Sequence, residues 1–216
     1  MFVNKQNSVV FVDLDETLFR TFAKVKVFKN GSLVRELSNK EYNSYVLGVG
    51  EVFDFSEFRD ASFFRETSVP IPETLSLVKD LLKNVDVVNS KIVVLTARED
   101  FQDKDTFLKT FYDHGIDVSD KDVFYVDRVG NIKSGESIAV RKKSRIISYL
   151  SSGLYRFCVL IDDDLANIDA FLDLANDVPN FVVDKVREVH GLDGDVPVGF
   201  LALHVQSDGS FKKIVK

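Results

Sequence analysis

The sequence predicts a doubly wound α/β domain on a mostly parallel sheet, and two observations carry that prediction. Three short apolar runs, VVFV (Val9–Val12), KIVVLT (Lys91–Thr96) and FCVLI (Phe157–Ile161), are β-branched and continuous rather than alternating, the pattern of strands buried on both faces. Longer amphipathic stretches separate them, and strands alternating with helices build a sheet covered on two sides. The 216 residues, 45% hydrophobic and 29% charged, have globular composition and are enough for one well-buried domain with a small second lobe.

The elements follow in order. After the first strand, the segment from about Arg20 to Pro70 breaks the alternating rhythm. It contains KVKVFKNGSLVREL, where Asn30-Gly31 between alternating runs signals a hairpin. An aromatic-rich piece follows, with Phe53, Phe55, Phe58, Phe63 and Phe64. This segment reads as an insert of residues 20–70, a small cap or β-flap, on a core made of residues 1–19 and 71–216. Rings at such spacings are commonly the insert's own core.

IPETLSLVKDLLKN (71–84) has Pro72 at a helix start and Leu75, Val78, Leu81 and Leu82 at helical spacing. KDTFLKTFYDHG (104–115) places Phe107, Leu108, Phe111 and Tyr112 on one face and ends on a glycine stop. VFYV (123–126) is a weaker strand, and FVV (181–183) reads as a fifth. KKSRIISYLSS and DLANIDAFLDLA continue the helices. The tail FLALHVQSDGSFKKIV reads as an edge hairpin turning at Asp208-Gly209.

Composition narrows the function classes. A formal net charge of −6 argues against a broad nucleic-acid-binding face or a stable nucleic-acid complex. The single cysteine, Cys158, excludes an internal disulfide and a thiolate metal cluster, and its apolar setting predicts a buried, inert thiol. MFVNKQNS lacks the layout of a signal peptide, and no apolar run approaches the ~18 residues of a membrane span. A cytoplasmic setting is the expectation. Without partner cysteines or clustered histidines, His114, His190 and His204 do not suggest a zinc site.

In open α/β sheets, ligands bind beyond the carboxyl ends of the strands. All three strong strands end there in polar residues: Asp13-Leu14-Asp15-Glu16-Thr17, Thr96-Ala97-Arg98 and Asp162-Asp163-Asp164. Two acidic clusters on neighbouring strand ends make a hard oxygen site suited to Mg²⁺, whose charge would offset the repulsion between Asp13 and Asp15. A carboxylate can attack phosphorus and divide a hard hydrolysis into two steps. A second, two residues on, can protonate the leaving alcohol and then activate water.

In this order, DLDETL, a threonine ending the second strand, a later lysine, and an apolar run into Asp-Asp followed by Asn167 resemble the four motifs of the haloacid dehalogenase superfamily, over roughly residues 9–175. The resemblance implies a Rossmann-like core and Asp13 as nucleophile, with Asp15 as general acid/base. It also implies Thr96 as a phosphoryl-oxygen ligand and a charge-neutralising lysine. Asp163, with Asp162 beside it, would bind Mg²⁺ together with Asp13 and the main-chain carbonyl of Asp15. Thr17 would brace the loop. A usable acid at Asp15 favours phosphate-ester hydrolysis over the superfamily's carbon–halogen and carbon–phosphorus cleaving branches.

Lys142 and Lys143 are both candidates for the lysine; Lys143 is preferred because Ile146, Ile147 and Leu150 then face the core. Thr96-Ala97-Arg98 resembles an element of polynucleotide-kinase-type 3′-phosphatases and some nucleotidases, in which Arg98 would fork onto phosphate oxygens; the competing reading is a surface pair with Asp100 or Glu99. The expectation is a Mg²⁺-dependent phosphomonoesterase acting on a nucleotide or a phosphorylated nucleic-acid end. A small metabolite or phosphoprotein is the alternative substrate, and a catalytically silent binding module the alternative of another class. A phosphoacceptor receiver domain is disfavoured, because there the acidic pair comes first and the lysine last.

Overall fold

A computed structural model describes residues 7–42, 44–83, 90–130, 135–194 and 198–214; the amino-terminal MFVNKQ lies outside them. Among the described residues, eleven strands and seven helices follow in order. They are β1 (Ser8–Val12), β2 (Phe19–Arg20), β3 (Val25–Lys29), β4 (Ser32–Leu37), α1 (Asn39–Tyr42), β5 (Glu51–Asp54), α2 (Ala61–Thr67), β6 (Val69–Pro70), α3 (Pro72–Lys83) and β7 (Lys91–Thr96). The remainder are α4 (Lys104–Asp113), β8 (Phe124–Arg128), α5 (Ile138–Leu150), β9 (Phe157–Asp162), α6 (Leu165–Asn176), α7 (Asn180–His190), β10 (Gly199–Val205) and β11 (Phe211–Ile214). A 3-10 turn, Ser56–Arg59, precedes α2.

The main sheet has the order β11-β10-β9-β1-β7-β8, parallel except for the β10–β11 hairpin. The continuous apolar runs are buried on both faces. Val10 and Val12 join Ile92, Val94 and Ile161 in one core layer, closed by Leu75, Val78, Phe107 and Phe111 of α3 and α4. Val9 and Phe11 join Val93, Leu95, Cys158 and Leu160 in the other, closed by α5, α6 and α7. The Cys158 thiol is fully buried, and burial pushes its pKa up.

The FVV run is not a strand. It lies in α7, where Val182 and Val186 are buried four residues apart; a three-residue apolar run does not distinguish helix from strand. The tail hairpin is more than an edge ribbon, since β10 pairs in parallel with β9 along its length.

The segment after β1 leaves and returns through the β2–β6 ladder. It carries a second sheet, β4-β3-β5, whose β3–β4 hairpin turns through left-handed Asn30 and Gly31 (φ 51° and 79°), the geometry Asn-Gly favours. Val25, Val27 and Leu37 form its small core with Tyr42, Tyr45, Phe53, Phe55 and Phe58 packed against them. Ala61 and Phe64 of α2 belong instead to the main core, with Phe19 and Phe107. Among the described residues no helix is long and apolar enough to cross a membrane.

Candidate functional site

The sheet changes direction at β1: the chain builds outward through β7 and β8, then returns to place β9 on the other side. Such a switch point opens a crevice at the strand ends. Register puts Val12 opposite Ile161 of β9 and Val94 of β7, so Asp13 and Asp162 emerge at one level. The Asp13 N–H is bonded to the Ile161 carbonyl (2.9 Å). Carboxylate oxygens of Asp13, Asp162 and Asp163 lie within 4.8 Å of one another.

The cation among them is Lys142. Its Nζ is 2.5 Å from Asp13 Oδ1 and 2.8 Å from Asp162 Oδ2, with 2% of the residue exposed. This corrects the preference for Lys143, which is half-buried and outside the cluster. Helix α5 begins at Ile138, with Ser137 as its N-cap, and its inward residues are Lys142, Ile146 and Leu150. Burial alone would lower the Lys142 pKa, but Asp13 and Asp162 hold it well above the usual lysine range.

Asp162 is saturated by protein donors. Asn167 Nδ2 reaches both its oxygens (3.0 and 3.1 Å), the Asp164 N–H reaches Oδ1 (3.0 Å) and Lys142 reaches Oδ2. Asp163 Oδ1 accepts the Thr17 hydroxyl (2.9 Å), whose oxygen accepts the Asp163 N–H (3.0 Å). Thr17 thus ties the β1 loop to the β9 loop. Asp164 is the N-cap of α6.

Asp15 and Arg98 form a separate pair. Arg98 Nε lies 2.9 and 3.1 Å from the two Asp15 oxygens and Nη2 lies 2.6 Å from Oδ1. The Thr21 hydroxyl donates to Oδ1 (2.6 Å). Arg98 is 3% exposed, lies over the rings of Phe58, Phe64 and Phe101, and donates from Nη1 to the Phe58 carbonyl (3.2 Å). The fork expected for phosphate is therefore engaged by a carboxylate, and the partners weighed on the surface, Asp100 and Glu99, pair instead with Arg128 and Lys104, and with Arg59. Burial would raise the Asp15 pKa, but Arg98 and Thr21 hold it below the usual carboxylate range.

Asp13 and Asp163 shift the other way. Burial raises Asp13 well above its ordinary value; Lys142 opposes this, while Asp162, Asp163 and Asp15 reinforce it. Burial and then Asp162 push Asp163 up to about 7.

Thr96 is fully buried, and its hydroxyl accepts the Arg98 N–H (3.0 Å). It shapes the β7 turn, while Ala97, Arg98 and Glu99 line the cleft. That cleft, of about 920 Å³, holds Asp13, Asp15, Lys142, Asp162 and Asp163 together with residues of the insert. Asn167, named in the sequence only as part of the last motif, and His204 and Gly130, given no role there, also line the cleft. Asn167 is 6% exposed, and its Oδ1 is buried with no hydrogen-bond donor among the described residues. His204 Nε2 is 2.9 Å from the Asp163 carbonyl, and its Nδ1 is 2.7 Å from the Gln206 amide nitrogen. The signal for His204 was its place at the end of an inner parallel strand, opposite Asp162. Gly130 lies where a Cβ would come 2.3 Å from the Ala97 carbonyl oxygen.

Against this geometry, comparison of the chain with protein-family models, curated proteins and solved structures gives no match.

Proposed function

We propose that this chain is a Mg²⁺-dependent phosphomonoesterase of the haloacid dehalogenase type, with Asp13 as nucleophile. The observation that carries the reading is the charge balance of the crevice. At its floor, Asp13, Asp15, Asp162 and Asp163 face two cations, Lys142 and Arg98, and the other charged residues of the lining, Glu16, Arg59, Glu99, Arg141 and Asp164, add one further net negative charge. Two negative charges are left uncompensated in a largely buried site, an arrangement that is costly without a counter-ion. One divalent cation supplies that charge. The donors suit Mg²⁺: hard carboxylate oxygens of Asp13 and Asp163, with Asn167, a lining residue of the same cleft, holding a buried Oδ1 that no described group satisfies. The donor-saturated Asp162 anchors Lys142 and Asn167. When bound, Mg²⁺ would neutralise charge on the phosphoryl oxygens.

The chain's own residues account for the rest. Lys142 orients Asp13 and adds positive charge where the equatorial oxygens would lie. Asp13 attacks phosphorus, the ester oxygen departs, and water hydrolyses the resulting aspartyl-phosphate. Asp15, kept ionised by Arg98, is in the state that accepts a proton from that water. Protonating a poor leaving group would first require loosening its pair with Arg98.

Asp13→Asn is expected to cut hydrolysis of an aryl phosphate by on the order of 10³- to 10⁶-fold, with circular dichroism unchanged. Turnover surviving that change removes Asp13 from the role. Wild-type protein without turnover on any ester, from mononucleotides to phosphorylated oligonucleotides and sugars, with Mg²⁺ present, would favour the binding-module reading.

A further inference from the structure

The expectation of a nucleotide-like substrate rested on Arg98, which the fold directs to Asp15. A different feature bears on the substrate. Tyr42, Phe55 and Phe58, all half-buried, line the same cleft as the carboxylates. They meet edge to face: Tyr42 and Phe55 at 5.5 Å and 90°, Phe55 and Phe58 at 6.4 Å and 67°. They therefore form one continuous lining. Packing of the insert does not by itself require this. Phe53 and Tyr45 belong to the same cluster and do not line the cleft.

Ile138 and Leu165 also line the space, and Leu165 is 53% exposed at the start of α6. Arg59, the insert's cation in this lining, is paired with Glu99 (3.3 Å). That leaves the insert's part of the wall predominantly apolar. Its volume falls within the roughly 300–1,000 Å³ of small-molecule sites.

From this we infer that Tyr42, Phe55 and Phe58 form a ring-binding subsite, which selects phosphate monoesters whose alcohol carries a planar aromatic or heteroaromatic ring. This rests on the phosphomonoesterase reading for the ester chemistry, while the ring preference stands on the wall itself. A mononucleotide and the terminal nucleotide of a phosphorylated strand share this chemistry.

The test uses non-hydrolysable phosphonates with the wild-type chain and Mg²⁺, measured by calorimetry. Benzylphosphonate is expected to bind at least about tenfold tighter than ethylphosphonate, the scale of an aromatic stacking contribution. Phe55→Leu, which keeps an apolar residue of similar bulk, should remove most of that preference. Phe53→Leu, a change in the same cluster away from the cleft, should preserve it. Equal or undetectable affinity for the two phosphonates overturns the inference, as does a preference that survives in Phe55→Leu and in Tyr42→Leu. In parallel, kcat/KM is compared for an adenosine monophosphate, a 5′-phosphorylated oligonucleotide and glycerol phosphate; faster turnover of one nucleotide form supports the inference and identifies the source of the ring. Ring preference in binding without turnover of any ester retains the subsite and removes the phosphatase reading. Turnover without ring preference does the reverse.

Discussion

A buried ammonium persists in a fold only where it is paired, and Lys142 has two carboxylates within 2.8 Å. Removing it strands both. Lys142→Met in metal-free protein is expected to cost about 3–5 kcal/mol, the usual result of breaking a buried pair from one side. Lys143→Ala should stay within about 0.5 kcal/mol, as for a substitution that touches no such feature. Urea denaturation of both variants checks this, and a comparable loss at Lys143 would refute the assignment. The sequence could not separate the two lysines because Ile146 and Ile147 are equally apolar. Taking the helix to begin near Lys142 left its phase free by one residue. Once Ser137 caps α5, the spacing of Ile138, Lys142, Ile146 and Leu150 fixes it. For Arg98 the feature hidden from the sequence is the partner. Its charge was visible, but its partner lies 83 positions away, and only the fold brings β7 beside the β1 loop.

At the scale of elements, the cleft depends on two loops pressed together. The loop after β7 and the loop after β8 touch where Val129 N–H meets the Thr96 carbonyl (3.0 Å) and where a Gly130 Cβ would lie 2.3 Å from Ala97 O and 2.6 Å from Arg98 O. Both obstacles are backbone, so no side chain can swing aside. Gly130→Ala is therefore expected to cost about 1–3 kcal/mol and to depress turnover by moving Arg98 away from Asp15. A thermal melt and an aryl-phosphate assay read the two effects, and a wild-type result in both would refute the coupling. The sheet itself was legible, because continuous β-branched runs have few other uses and their polar ends marked the site. The Asn30-Gly31 turn was legible for local steric reasons. The small sheet of the insert was less so: α2 shares apolar aromatic composition with its neighbours, yet Phe64 packs into the main core and Phe55 faces the cleft. Composition does not say which core an aromatic residue joins.

For the whole molecule, the unbalanced crevice ties stability to pH and to metal. Asp163 titrates at about 7 in the fold, raised by burial and by Asp162 from an ordinary 3.8, and Asp13 is raised in the same sense. Between those values the folded state holds protons that the unfolded chain has released, so stability falls as pH rises and levels off once the folded groups have ionised. Carboxylates held low, such as Asp15, act in the opposite sense only at pH values below their ordinary range. Metal-free protein is thus expected to melt at a lower temperature near about pH 8 than near about pH 5. Mg²⁺, which binds the ionised carboxylates, should reverse the trend. At about a hundredfold over its Kd it adds about 2.7 kcal/mol, or roughly 5–10 °C in Tm for a chain of this size. The shift near about pH 5 should be less than half as large, because protons compete for the same oxygens. Asp163→Asn, which removes the titrating group while keeping its shape, should flatten the metal-free profile and diminish the Mg²⁺ shift. Melting curves across this range, with Mg²⁺ or a chelator, provide the measurement. A metal-free Tm that climbs with pH, or a Mg²⁺ shift of equal size at both ends, would mean that the crevice does not carry the excess charge assigned to it.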